Sequence, residues 1–173
     1  KGSLLALFGS AVLVAIVLYG IIPGVIKVGG SFEILFVNHL GLPFNTGVIF
    51  YILVLALAIV WGVYETYQEK SELRMGLSFL FTVILLGIPF YGHGTTSLLI
   101  GAAVIALLSL YLFSDKIKQS YRVSSRTLNT TLLCIMFIMI GYSSYTLIVL
   151  RSIANPPMDQ NSPEDIFTLG EYL

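Results

Sequence analysis

The chain has 173 residues, of which 57% are hydrophobic and only 10% are charged. Soluble proteins average about 45–50% apolar and about 25% charged residues, so a soluble fold of this length would leave much apolar surface exposed to water. Nine Lys and Arg residues balance nine Asp and Glu residues, which excludes a nucleic-acid-binding protein built on overall basicity. We therefore expect an all-α membrane protein in contact with membrane lipid.

Five apolar segments are long enough to cross a membrane, which takes about 20 residues with a range of about 17–25. They are residues 4–26, 46–64, 75–91, 97–113 and 128–150. The sequence thus predicts a polytopic helical bundle of about five transmembrane helices over residues 1–150, followed by a loop and the start of a helix over residues 151–173.

The first span carries Pro23-Gly24 near its end, and we expect these residues to break or kink its last turn, because proline removes a backbone donor. This span is longer than the apolar core of a signal peptide, which has about 7–15 residues. The chain opens at Lys1 just before the span and stops at Leu173 within a helical pattern. We therefore expect it to be an internal part of a longer protein.

Between the first two spans, the pattern predicts a short amphipathic helix lying in the membrane interface. Gly29-Gly30-Ser31 would begin this helix and Gly41-Leu42-Pro43 would end it. The apolar positions near helical spacing are Phe32, Leu35, Phe36 and Leu40, with Phe44 as an optional fifth, whereas Glu33, Asn38 and His39 fall off that stripe.

The orientation follows from the bias of Lys and Arg in short loops towards the cytoplasm. With five spans, Lys27 and Arg151 fall on one side of the membrane. The other side holds Lys1, Lys70, Arg74, Lys116, Lys118, Arg122 and Arg126. This distribution predicts a cytoplasmic N-terminus and an extracytoplasmic tail over residues 151–173.

The tail begins at Arg151, for which two interpretations remain open. Its guanidinium group either anchors the span at the lipid headgroups or binds a phosphate or carboxylate through two parallel hydrogen bonds. Asp159 and Asn161 would orient Arg151 or contact a polar substrate, or would only cap and solvate the loop. Asn155-Pro156-Pro157 forces extended backbone, so the helix of the last span must end by Ala154.

Further along the tail, Ser162 precedes Pro163-Glu164-Asp165. This order predicts that Ser162 is the N-cap of a helix that continues through Tyr172.

Other candidate chemistry is sparse. His39 and His93 have no partners at the spacing of the three or four ligands that a metal site needs, and Cys134 lies within an apolar run. No metal or other cofactor is predicted. No charged side chain lies in the middle of a span, which argues against a proton relay or ion pump.

Two strings of the sequence are more specific than the spans. The first is Arg-x-x-x-Asn-Pro-Pro-x-Asp-x-Asn-x-Pro, formed by Arg151, Asn155, Pro156, Pro157, Asp159, Asn161 and Pro163. The second is Gly-Leu-Pro-Phe-Asn, from Gly41 to Asn45. With these strings, the whole chain resembles a family of multi-pass inner-membrane proteins of Bacteroidetes, formerly described as a domain of unknown function. That family is similar to the eukaryotic transmembrane O-mannosyltransferase, a glycosyltransferase of the GT-C type.

The resemblance implies an enzyme of the bacterial inner membrane that transfers a sugar, expected to be mannose, from a polyprenyl-phosphate donor. The acceptor would be extracytoplasmic, such as Ser or Thr of a periplasmic protein. Arg151 would contact the donor phosphate, and Asn155, Asp159 and Asn161 would shape the substrate pocket. The family's Asp-Ser-Gly-Glu and His-Pro-Pro-Gly strings do not occur here, so the catalytic base would lie outside these residues and no catalytic residue is assigned.

Two other classes of function compete with this interpretation. A non-catalytic scaffold or assembly subunit would dock a periplasmic partner through the tail. A transporter would show inverted repeats or unwound segments in the middle of its spans, and Pro23 and Pro89 lie too near the span ends to indicate this.

Overall fold

The computed structural model describes residues 2–87, 90, 94–114, 124–154, 157–158 and 162–172, and every regular element in these ranges is helical. Four of the helices described are long and apolar enough to cross a membrane, namely Ser3–His39, Thr46–Gln68, Thr95–Phe113 and Ser125–Ile153. These findings confirm a helical integral membrane protein. Lipid cannot hydrogen-bond backbone groups, and a helix satisfies them within the segment.

The first helical rod is longer than predicted. It comprises α1 (Gly2–Ile16), a π-helical turn (Val17–Ile21), α2 (Ile22–Ile34) and a second π-helical turn (Leu35–His39). Of the break or kink predicted at Pro23-Gly24, the break is wrong, because the helix continues through both residues. The preceding π turn, closed by the Ile22 N–H donating to the Val17 carbonyl, widens the helix where the proline ring meets the previous turn.

The predicted interfacial helix is therefore not a separate element, since its residues continue the same rod as far as His39. Gly29 and Gly30 form no turn and are buried within α2. The rod ends at His39, and Gly41 just beyond it has a φ of 66°, a left-handed conformation that favours glycine.

The remaining helices follow in chain order. They are α3 (Thr46–Gln68), α4 (Glu72–Leu85), α5 (Thr95–Phe113), α6 (Ser125–Tyr142), α7 (Tyr145–Ile153) and α8 (Ile166–Tyr172).

The third predicted span, residues 75–91, corresponds to α4, which is helical over only 14 residues. At about 1.5 Å per residue this helix measures about 21 Å, less than the hydrocarbon thickness of about 30 Å. It ends where Gly87 adopts a φ of 69° and its N–H donates to the Ile84 carbonyl at 3.0 Å. A glycine in this conformation terminates helices, which the apolar pattern alone did not indicate.

The last predicted span, residues 128–150, is divided between α6 and α7 by a turn at Ser143-Ser144. The two hydroxyl groups donate to carbonyls of the preceding turn, Ser143 to Ile140 at 2.6 Å and Ser144 to Gly141 at 2.9 Å. Such local bonds compete with the helical ladder and bend the helix. The rings of Tyr142 and Tyr145 stack across this turn with centroids 5.4 Å apart.

Helix α3 lies at the centre of the bundle, between α2, α4 and α6. Its Tyr51 is fully buried, donates from Oη to the Leu85 carbonyl of α4 at 2.9 Å and stacks on Phe32 of α2 at 5.6 Å. Glycines allow other helices to approach closely, as is common between membrane helices; Gly62, for example, faces Leu132 of α6. The buried apolar core comprises Ile21, Tyr51, Leu55, Ala58, Ile59, Leu85, Leu86 and Ile135.

The bundle has two ends, which we name by their contents. The tail end holds the C-terminal half of α2, the start of α3 and helix α8, and α2 contacts both of the other two. The hairpin end holds the connection between α3 and α4 at residues 69–71, together with the start of α6, where the Ser125 hydroxyl donates to Glu69.

Candidate functional site

Arg151 lies in the last turn of α7, and its side chain is exposed. The helix ends at Ile153, with the Ala154 N–H donating to the Arg151 carbonyl at 3.2 Å. This confirms that the helix ends by Ala154, as the following prolines predicted. Within the part of the chain that the structure describes, no carboxylate or other hydrogen-bonding group pairs with the Arg151 guanidinium group.

The residues predicted to accompany Arg151, namely Asn155, Asp159 and Asn161, lie outside the described residues. Their grouping around the guanidinium therefore stays a prediction. His93 also lies outside the described residues, whereas His39 is exposed at the end of the first helical rod.

Sequence reasoning missed the role of Glu33, which is only 4% exposed. Its two carboxylate oxygens accept the backbone N–H groups of Asn45, at 2.5 Å, and Val48, at 3.1 Å. The carboxylate thus caps the first turn of α3, where the unpaired N–H groups and the helix dipole favour a negative charge. The sequence did contain an indication of this role: an acidic residue within a long apolar helix is nearly always paired with another group.

The close approach of α2 and α3 makes this cap possible. A Cβ atom added to Gly47 would lie 2.5 Å from the Phe32 carbonyl oxygen and 2.6 Å from the Glu33 Cα. The two backbones therefore touch directly at this point, and only glycine fits. The string from Gly41 to Asn45 connects the two helices, and Asn45 adopts a φ of 69° just before α3.

Lys27 links α2 to the segment that follows α4. Its ammonium group donates to the Phe90 carbonyl at 3.1 Å. Nearby, Gly87 approaches Gly24 and Val28 so closely that a Cβ atom would lie within 2.8 Å of both residues. Lys27, one of the two basic residues predicted for the extracytoplasmic side, thus connects α2 to Phe90 through a hydrogen bond.

Helix α8 begins differently from the prediction. Asp165, rather than Ser162, is its N-cap: one carboxylate oxygen accepts the N–H groups of Phe167, at 2.9 Å, and Thr168, at 2.8 Å. These bonds, chiefly the one from the Thr168 N–H, hold the pKa of Asp165 below its usual range because they stabilise the charged form. Ser162 instead has a φ of 39°, outside the extended region typical of an N-cap.

The face that receives α8 is the Gly29-Gly30 pair of α2. Cβ atoms at these positions would lie 2.5 Å from Ile166 Cδ1 and 2.9 Å from Phe167 Cε1. On the other side of the contact, Gly170 faces Ile26. The paired glycines predicted to make a turn instead form a flat surface on which the tail helix packs.

A second polar cluster lies at the hairpin end. Glu65 of α3 pairs with Arg74 of α4 at 3.7 Å and accepts the indole N–H of Trp61 at 3.2 Å. Asn129 of α6 donates to the Thr66 hydroxyl at 2.9 Å and to the Val63 carbonyl at 3.2 Å. These bonds join three helices.

The Glu69–Ser125 bond places residues 69–71, one of the basic connections used to predict the orientation, beside the start of α6. Which side of the membrane this end faces stays a prediction.

Comparisons with protein-family models, with curated proteins and with solved structures give no match to this chain.

The described residues include no group of three or more His, Cys, Asp or Glu side chains placed to hold a metal ion. At the tail end, the carboxylates of Glu33 and Asp165 both cap helices. Arg151, at the end of α7, is exposed and has no described partner, and the same holds for the carboxylates of Glu164 and Glu171. Chemically, Arg151 can offer a cation to an anionic group at the end of its span.

Proposed function

We propose that this chain is part of an integral membrane glycosyltransferase, which transfers a sugar from a polyprenyl-phosphate donor to an extracytoplasmic acceptor such as protein Ser or Thr. Mannose is the sugar that the resemblance implies. The observation that supports the proposal is the position of Arg151, exposed at the end of an apolar span and without a described partner.

The chemistry of the donor fits that position. A polyprenyl chain lies within the hydrocarbon, so its phosphate lies at the boundary where the span ends. A guanidinium group binds phosphate through two parallel hydrogen bonds, and these are stronger than bonds between neutral groups. In the proposed complex, Arg151 neutralises charge on the phosphate as the bond to the sugar breaks. Asn155, Asp159 and Asn161 would line the same pocket.

The catalytic base is proposed to come from other parts of the full-length protein. Glu33 and Asp165 accept hydrogen bonds from backbone N–H groups at helix starts. If either carboxylate took up a proton as the base, the helix that it caps would lose that stabilisation. This agrees with the resemblance, in which the family's acidic motif lies nearer its N-terminus.

The test is a transfer assay with the full-length protein in membranes, radiolabelled polyprenyl-phosphate mannose and a periplasmic protein extract. Arg151→Ala should lower transfer by about 10- to 150-fold, the equivalent of about 1.5–3 kcal/mol for a hydrogen bond to a charged group. Lys70→Ala is the control, because it removes one exposed positive charge at the hairpin end. Unchanged donor affinity and turnover in Arg151→Ala would refute the assignment of Arg151.

The alternative proposal is a non-catalytic scaffold that docks a periplasmic partner. The observation in its favour is the exposure of large apolar side chains in the tail, with Met158 87% exposed and Phe167 48% exposed. No transfer from any polyprenyl-phosphate sugar by the folded wild-type protein would favour this alternative over the enzyme.

A further inference from the structure

The length of α5 marks the level of the membrane surface at the tail end. This helix has 19 residues and measures about 28 Å, so it needs its whole length to cross a hydrocarbon core of about 30 Å. Its last residue, Phe113, packs on Gly76 near the start of α4, which is at the hairpin end. Its first residue, Thr95, therefore lies at the tail-end surface. On α2, Glu33 marks the tail end, because it contacts the first turn of α3.

The hydrogen bond between Lys27 and Phe90 lies below this surface. The Phe90 ring packs on Gly101, which is about 9 Å along α5 from its start. The Lys27 ammonium group donates to the Phe90 carbonyl at 3.1 Å, and Lys27 is likewise about 9 Å along α2 from Glu33. The two depths, measured along different helices, agree.

The backbone at this depth is not helical. Gly87, just after α4, packs against Gly24 of α2, about 14 Å along α2 from Glu33, and is buried. Phe90 belongs to neither α4 nor α5 and is half-buried, and Lys27 is exposed. Within a membrane, irregular backbone occurs where protein covers it or where it lines a water-filled cavity, and ionisable side chains face the bundle interior or such a cavity. Water is therefore the medium expected around Lys27 and Phe90.

We propose that a water-filled pocket enters the bundle from the tail end, reaches the Lys27–Phe90 hydrogen bond and binds the anionic group of a hydrophilic ligand, such as a carboxylate or a phosphate. An ammonium group has three N–H donors, so Lys27 can hold the Phe90 carbonyl and a ligand together. A positive charge between walls of low dielectric constant also concentrates anions over cations. The pocket requires no transfer reaction and is independent of the proposed function.

The test is cysteine labelling of the full-length protein in nanodiscs, with its native cysteines, Cys134 among them, replaced by serine. Two membrane-impermeant methanethiosulfonates are used, one with an anionic sulfonate and one with a cationic trimethylammonium group. Lys27→Cys and Phe90→Cys place the thiol in the pocket. Ile100→Cys is the control of matched depth, because Ile100 precedes Gly101 on α5 and is 53% exposed outside the pocket.

Both pocket variants should react at least about tenfold faster than Ile100→Cys, the equivalent of about 1.4 kcal/mol, because the reactive thiolate forms in water and not in hydrocarbon. Labelling of Lys27→Cys decides this point if Phe90→Cys does not fold. Equal labelling of the pocket and control variants would overturn the proposal. Slow labelling of both would mean that lipid surrounds the Lys27–Phe90 bond, and fast labelling of both would mean that the membrane surface lies at this level.

The charge preference is tested in the Phe90→Cys background. Lys27→Gln should lower the ratio of anionic to cationic labelling rates about tenfold, because the loss of one positive charge affects the two reagents in opposite directions. Lys27→Arg keeps the charge and should keep the ratio. If Lys27→Gln leaves the ratio unchanged, the pocket does not select an anion and the proposed ligand class is wrong.

Discussion

From the contact between α2 and α3, we predict that Gly47→Ala destabilises the protein. The added methyl group would lie 2.5 Å from the Phe32 carbonyl oxygen and 2.6 Å from the Glu33 Cα, against an ordinary contact distance of 3.4–4 Å. Both neighbours are backbone atoms, so no side-chain rotation relieves the overlap. The 2.5 Å distance is about 0.9 Å shorter than the shortest ordinary contact. Because protein interiors are closely packed, the two helices must separate by about this distance.

This separation has a second cost at the cap. The bond from the Val48 N–H to Glu33 is already 3.1 Å long, and stretching it by a comparable amount would break it. Overpacking costs about 1–3 kcal/mol and loss of a helix cap about 1 kcal/mol. We therefore expect Gly47→Ala to lower the free energy of unfolding by about 2–4 kcal/mol. At about 2–4 °C per kcal/mol for a chain of this size, Tm should fall by about 4–16 °C.

The assay is thermal unfolding of the full-length protein in nanodiscs, followed by intrinsic fluorescence. Gly141→Ala is the matched control, because it makes the same change in a helix where a Cβ atom would have nothing within 4 Å. Its Tm should stay the same or rise slightly, since alanine has the higher helix propensity. If the two variants have equal Tm values, the direct backbone contact between α2 and α3 is wrong.

Two further predictions concern the core and the tail helix. Tyr51→Phe removes the buried bond to the Leu85 carbonyl and should cost about 1–3 kcal/mol in the same assay, whereas Tyr19→Phe, at a side chain 68% exposed, should cost nothing measurable. Asp165→Ala removes the cap of α8 and should cost that helix about 1 kcal/mol, seen as faster amide hydrogen exchange over residues 166–172; unchanged exchange would contradict the capping role. Because the pKa of Asp165 is lowered in the folded state, its contribution should be complete above about pH 4 and should be lost as the pH falls through that lowered pKa. Exchange in the wild type, corrected for its intrinsic pH dependence, should therefore approach that of Asp165→Ala in acid.

Local sequence was sufficient for four of the apolar spans and for the end of α7, though not for the start of α8. The long apolar runs predict membrane helices because lipid leaves backbone groups no partner outside the helix. Pro156 and Pro157 predict the end of α7 by Ala154 because a proline restricts the backbone of the residue before it. Patterns of this kind need no knowledge of what packs nearby.

The roles of Gly29, Gly30 and Glu33 were decided only by the tertiary structure. A glycine pair is typical of a turn and equally of a close helix contact, and what distinguishes the two here is that Ile166 and Phe167 pack on it. Both residues are distant in sequence. Likewise Glu33 is a helix cap only because α3 starts beside it. The membrane-helical fold can thus be predicted from the sequence, because long apolar segments are stable only as helices in lipid. The partner of each polar or small residue cannot, because it depends on which helices pack together.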